Sequence, residues 1–150
     1  MKAIIQRVSN ASVTISKKIK SEIGIGYLVL LGIETADTKE DGVWLAAKIA
    51  NMRIFSDEND LMNLSIDEVS GDIIVVSQFT LHASTKKGNR PSYIKAARPE
   101  QANPLYELFV IELQDLIKGK VLTGEFGADM KVSLLNDGPV TIIIDSKNKE

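Results

Sequence analysis

Polar and apolar residues alternate where the chain begins: Val13 and Ile15 are set against Ser12 and Thr14. A period of two predicts a half-buried strand. With the apolar positions between Ala3 and Val8, the pattern predicts two short strands, 3–8 and 11–15, parted at Ser9-Asn10. Tyr27 to Ile33 is almost continuously apolar, as is Ile73 to Val76. Such runs suit strands covered on both faces. Between them the period lengthens. Leu45, Ile49 and Met52 fall at helical spacing and predict a helix over about 38–52, with Asp37 as N-cap and Glu40 as its capping-box partner. Gly42 weakens that helix without forbidding it. Asn103-Pro104 predicts a second helix start, Leu105, Leu108, Phe109, Leu116 and Ile117 its apolar stripe, and Gly119 its end. Three strands follow, 121–126, 131–135 and 140–145, with Asn136-Asp137-Gly138-Pro139 turning between the last two.

This order predicts a sheet-rich α/β fold: two packed β layers with two helices on one side. A β-barrel decorated by helices is the alternative. At 150 residues, with no linker, repeat or low-complexity stretch, the expectation is a single domain spanning 1–150. A composition of 44% hydrophobic and 25% charged residues excludes the disordered, collagen-like and coiled-coil classes. The absence of cysteine excludes disulfides, thiolate metal sites and cysteine nucleophiles, and a single histidine, His82, excludes a His-rich metal site. No metal and no cofactor is expected. No apolar run reaches the roughly 18 residues of a membrane span, and Gln6 and Arg7 come too early for a signal-peptide core. A soluble, cytoplasmic protein without a membrane partner is the expectation.

Charge changes this picture locally. The net charge is −2. Yet no acidic residue occurs between Asp72 and Glu100, and Lys86, Lys87, Arg90, Lys95 and Arg98 give that stretch +5. A basic segment on an acidic chain suits an anionic partner, although a solvated loop has the same composition. Within it, Lys87 to Tyr93 combines an arginine fork with an aromatic face, which phosphate and bases can use. Asp57, Glu58, Asp60, Asp67 and Glu68 form an acidic cluster without calcium-loop spacing, and a solvated loop is the better reading.

The chemistry-bearing stretch is Ser77-Gln78-Phe79-Thr80-Leu81, where a buried strand ends in hydroxyl and amide groups. If the strand continued, Thr80 and His82 would share a face, a nucleophile beside a base. No acid nearby in sequence orients that histidine, so local hydrogen bonding is the stronger reading. No nucleophile elbow, phosphate-binding loop or dinucleotide fingerprint is present.

Ser77-Gln78-Phe79-Thr80-Leu81 and Asn136-Asp137-Gly138-Pro139-Val140-Thr141 together resemble the two signature motifs of the D-aminoacyl-tRNA deacylases. Met1 to Val13, Arg53-Ile54-Phe55, Gly88 to Ala97 and Phe126-Gly127-Ala128 carry the same resemblance, which runs to about residue 145. The tail 146–150 carries no signal. The resemblance implies a cytoplasmic homodimer that hydrolyses the ester of D-aminoacyl-tRNA, and of mischarged glycyl-tRNA, while sparing L-esters. It implies catalytic positions at Thr80 and Phe79 and substrate-binding positions at Ser77, Gln78, Gly138 and Pro139. The Gly-Pro pair, joined by a cis bond, would enter the partner subunit's pocket as the chiral filter. Thr80 acts either as nucleophile or beside a 2′-hydroxyl of the RNA that assists. Lys86, Lys87, Arg90, Lys95 and Arg98 then become candidates for tRNA phosphates. A non-catalytic dimeric protein that binds RNA ends is the alternative class.

Overall fold

The computed structural model describes residues 1–149. It begins with one strand, β1 (Lys2–Ile15), rather than the two expected. Ser9-Asn10 does not end it, because the ladder to the last strand runs on across that point, with a register shift between Val8 and Asn10. One edge pairs with β8 (Lys131–Asp145), the other with β3 (Gly26–Gly32) and then β2 (Lys18–Ile23). β2 escapes the hydrophobic pattern because only Ser21 and Ile23 of it are buried. Ser16 and Lys17 reverse the chain before it, both at positive φ, which matches the twist of a two-residue hairpin.

β3 pairs in parallel with β6 (Asp72–Ser77), and β6 in parallel with β7 (Val121–Thr123). Each step needs a crossover. α1 (Lys39–Ala50) lies on the first and α2 (Pro99–Leu116) on the second. Right-handed crossovers stepping in one direction put both helices on the same face. Period two then sorts the central strands. Tyr27, Val29, Leu31, Ile73 and Val75 pack under the helices against Leu45, Ile49, Phe109 and Leu113. Leu28, Ile74 and Val76 point the other way, onto Val8, Val13 and Ile23, with Val132 and Leu134 packed alongside. The sheet therefore curls over its second face, and Ser21 Oγ donates to the Thr123 carbonyl at 2.6 Å where β2 meets β7. The two layers expected from the sequence are two parts of one nearly closed sheet.

Several boundaries move for identifiable reasons. The N-cap of α1 is Thr38, whose N–H donates to Asp41 Oδ2 at 2.9 Å, rather than Asp37 with Glu40. Asp37 is occupied elsewhere: it is buried against the Met1 ammonium and accepts the Glu34 N–H at 2.8 Å. α2 starts at Pro99, five residues before Pro104, which lies inside the helix. Glu100 and Pro104 are both exposed, so the carbonyl that loses a donor faces water. The buried stripe is Ala102, Tyr106, Phe109 and Leu113, and Leu116 is exposed. It is set by Tyr106, whose hydroxyl donates to the Val75 carbonyl at 2.7 Å. The expected strand 121–126 is only β7. A small hairpin, β4 (Phe55–Ser56) and β5 (Met62–Leu64), replaces the acidic loop. There Asp57 caps the turn, accepting from Asn59 N and Leu61 N at 2.8 and 3.1 Å. These bonds, with one from Asn63, hold its carboxyl below the usual range.

The tail joins the same scaffold. Ser146 Oγ accepts from the Met1 ammonium and donates to Asp41 at 2.7 Å, and Lys147 Nζ reaches Asp41 at 2.7 Å. Glu150 lies outside the described residues. Burial opposes the charged form of Asp41, but Lys147, Ser146 and the Thr38 N–H outweigh it and hold its carboxyl far below the ordinary range. A carboxyl depressed in the folded state contributes stability above its unfolded pKa of about 4 and loses it as pH falls through the folded value. The urea midpoint of the wild type should therefore fall steeply below about pH 4. Asp41→Asn should start lower at pH 7 and decline less. Parallel curves for the two proteins would remove Asp41 from this role.

Candidate functional site

β6 is buried on both faces as far as Val76, so its polar residues come only at its end. There the chain leaves the ladder instead of continuing it. Gln78 N still donates to the Leu31 carbonyl at 2.8 Å, and Phe79–His82 then form one 3-10 turn whose first bond runs from Leu81 N to the Gln78 carbonyl. The Phe79 and Thr80 N–H groups precede that bond. Gln78 Nε2 donates to Thr80 Oγ1. The Thr80–His82 pair fails on this geometry. The strand periodicity that would align the two is gone, and His82 is buried with its Nε2 unpartnered among the described residues.

Ser77, Gln78 and Phe79 line a cavity of about 610 Å³. Its apolar walls include Ile33, Val76, Phe126, Met130 and Val132, and its charged groups are Arg98 and Asp129. Phe79 and Tyr93 meet edge to face, ring centroids 5.0 Å apart, and both remain substantially exposed at the rim. Thr80 is not among the lining residues and is joined to them by its hydrogen bond from Gln78. Of the five basic candidates, Arg98 lines the cavity. Lys86, Lys87, Arg90 and Lys95 are exposed on the segment beside it. Ser84 and Ser92 exchange backbone hydrogen bonds at 2.8 and 2.9 Å, which closes a loop carrying Lys86, Lys87 and Arg90 at its tip.

Gly138 and Pro139 lie elsewhere. Residues 131–145 form one long strand, not two, and Gln6 pairs with Thr141 while Val8 pairs with Asn136. The excess residues, 137–140, bulge from the ladder, and the Gly138-Pro139 bond is cis. Gly138 sits at φ +129°, and a Cβ there would fall 2.8 Å from Val140 Cγ2 and 3.0 Å from Arg7 Nη2. Asn136 clamps the bulge: its Oδ1 accepts Val140 N at 2.9 Å and its Nδ2 donates to Thr141 Oγ1 at 3.0 Å. Arg7 clamps it from beneath, donating to the Asp137 carbonyl at 3.0 Å and to the Ile54 carbonyl at 2.7 Å. Arg7 was missed from the sequence, although period two places it inward with Ala3 and Ile5. A guanidinium on an apolar face was the available signal. No residue from 136 to 140 lines the cavity of the same chain.

A family model described as D-Tyr-tRNA(Tyr) deacylase matches residues 4–145. The chain belongs to that family. Relatives of this deacylase from Flavobacterium psychrophilum and Flavobacterium johnsoniae, both named D-aminoacyl-tRNA deacylase, are 65% and 66% identical over 150 residues, the whole of each chain. Among solved structures, a c-Myc DNA unwinding element binding protein superposes with TM-score 0.91 at 41% identity, covering 97% of this chain and 98% of its own. A probable eukaryotic D-amino acid tRNA deacylase superposes at 0.79 with 17% identity, covering 95% and 97%, a likeness of fold.

Removing the Arg7 fork leaves two carbonyls and the bulge without their donor. Arg7→Met should cost about 1–3 kcal/mol of unfolding free energy in urea titration. Gly138→Ala should displace the bulge while the distant cavity keeps its shape. Wild-type stability in Arg7→Met would show that the bulge is held by β8 alone.

Proposed function

We propose that this protein hydrolyses the ester between a D-amino acid and the terminal ribose of tRNA, also clears mischarged glycyl-tRNA, and spares L-aminoacyl-tRNA. The observation that carries the reading is the end of β6: Ser77, Gln78 and Phe79 line the cavity and Thr80 is hydrogen-bonded to Gln78, in a chain of the deacylase family whose close relatives bear that name. Ser77 and Gln78 bind the substrate there. Phe79 contributes its N–H to the developing oxyanion.

An aminoacyl ester is already activated, so positioning and backbone donors suffice for a useful rate. The hydroxyl of Thr80 accepts a hydrogen bond from Gln78, and no hydrogen bond joins it to a base among the described residues. A threonine without a base is a poor nucleophile. The 2′-hydroxyl of the terminal ribose therefore assists the reaction, and Thr80 holds Gln78 in place.

The working unit is a cytoplasmic homodimer. The exposed Gly138-Pro139 bulge lines neither of the two described cavities, and β8 pairs with β1 alone among the described strands, leaving Leu135 beside the bulge exposed. Docking two copies about a two-fold axis lets the bulge enter the partner's pocket and covers Leu135. There the main chain of Gly138 and Pro139 excludes an L side chain, because backbone cannot swing aside. Glycine offers no side chain to exclude. Lys86, Lys87, Arg90, Lys95 and Arg98 meet phosphates of the acceptor end.

Purified protein should release D-tyrosine from D-Tyr-tRNA and leave L-Tyr-tRNA intact. Loss of both esters, or of neither, would overturn the reading, and neither with retained tRNA binding would favour an RNA-end binder. Thr80→Ala should lower kcat by less than about tenfold, against the 10²–10⁴-fold worth of general base catalysis. A substrate ending in 2′-deoxyadenosine should be cleaved far more slowly. A trapped aminoacyl-Thr80 ester would reverse this assignment. Charge reversal of Lys87 and Arg90 should weaken tRNA binding and flatten its salt dependence without changing the preference for D over L.

A further inference from the structure

A second concavity, about 750 Å³, lies between α1 and the C-terminal part of β8. Trp44, on α1, forms part of its wall, with Ile142 and Ile144 beside it. Two ammonium groups gather on that one indole: Lys48 Nζ lies 5.7 Å and Lys149 Nζ 4.6 Å from the ring centroid. Neither has a carboxylate within salt-bridge distance among the described residues, whereas Lys2, in the same groove, is 3.6 Å from Asp145. Cation–π attraction draws both ammonium groups to the one ring, where no carboxylate among the described residues neutralises either of them. An anion bound at the groove would balance that charge.

Strand register says which anion. Lys2 pairs with Asp145 on one side and Gly32 on the other, and Leu31, next to Gly32, pairs with Ser77. The groove and the polar end of β6 thus occupy the same end of the sheet, three strand spacings apart. At about 4.8 Å per spacing β8 and β6 are roughly 14 Å apart at this end, a span that a few nucleotides of single strand cover.

We propose that the Trp44 groove is a second contact for tRNA, in which Lys48 and Lys149 take a backbone phosphate a few nucleotides before the reacting terminus and the apolar wall takes its sugar or base. The inference rests on the deacylase reading for the identity of the RNA. The tail, silent in the sequence, acquires a role through Lys149.

Trp44 is the single tryptophan of the chain, so its fluorescence reports on this groove. Titration with uncharged tRNA should quench the emission and shield it from acrylamide. Binding is followed in parallel by the anisotropy of labelled tRNA. Lys48→Glu with Lys149→Glu, both at exposed positions, should weaken binding about tenfold at low salt and reduce the log–log salt slope by between about 1 and 2. Hydrolysis of a D-aminoacyl-adenosine, which has no phosphate, should stay at the wild-type rate. The proposal fails if tRNA does not bind, or binds with unchanged emission and unchanged affinity in the double variant. It also fails if the adenosine ester is hydrolysed more slowly by that variant. Emission that depends on protein concentration without tRNA would assign the groove to a second copy, and equal quenching by millimolar inorganic phosphate would assign it to a free anion. Either overturns it. Quenching and affinity loss in a protein that cleaves no D-ester would uphold the groove and overturn the deacylase reading instead.

Discussion

β3 and β6 lie side by side with apolar residues on both faces, and the remaining elements are arranged around that pair. Burying Val29, Leu31, Ile73 and Val75 requires a layer on one side, and Leu28, Ile74 and Val76 require one on the other. At about 1.5–3 kcal/mol for each fully buried side chain, this demand far exceeds any surface ion pair. Lys131–Asp129, at 3.0 Å with both side chains largely exposed, is worth at most about 1 kcal/mol. The helices meet the first demand. The curl of the sheet, with β2 closing toward β7, meets the second.

The same constraint locates the polar groups of the candidate site. A strand buried on both faces tolerates polar side chains only at its ends. Ser77, Gln78 and Thr80 therefore cluster where β6 stops and the chain tightens into a 3-10 turn. Leaving the ladder takes the Phe79 and Thr80 N–H groups out of strand pairing at that point. The cavity beyond is lined from the start of α2 and from the segment before β8, both of which converge on this end of the sheet.

The second polar device solves a different problem. A bulge of the length of 137–140 breaks an edge ladder, and its backbone groups need partners. Arg7 and Asn136 provide them, one from the core side and one from within the strand. A buried arginine is expensive unless its donors are used, and here two go to backbone carbonyls of different segments, Asp137 and Ile54. The result is a rigid main-chain projection on an otherwise regular strand.

The hydrophobic pattern alone determined the strands around 27–33 and 73–76, the helix after residue 38, the second helix and the placement of polar residues after β6, because burial on one or both faces writes its period directly into the chain. The two motifs determined the family. Several features were decided only by tertiary structure. β1 and β8 run on as single long strands because each pairs along its length with the other, and a register shift leaves no mark on local periodicity. β2 is specified by its neighbours, since only two of its residues are buried. Asp37 left the cap position because the Met1 ammonium, 36 residues away in sequence, competes for it. Thr80 and His82 fall within a 3-10 turn that no alternation of polar and apolar residues encodes, so they share no strand face. Arg7 was legible as a charge on an inward face, but its partners come from residues 47 and 130 positions away. Local sequence records which side of an element is buried, whereas the choice of partner for each polar group is made by the distant segments that packing brings to it.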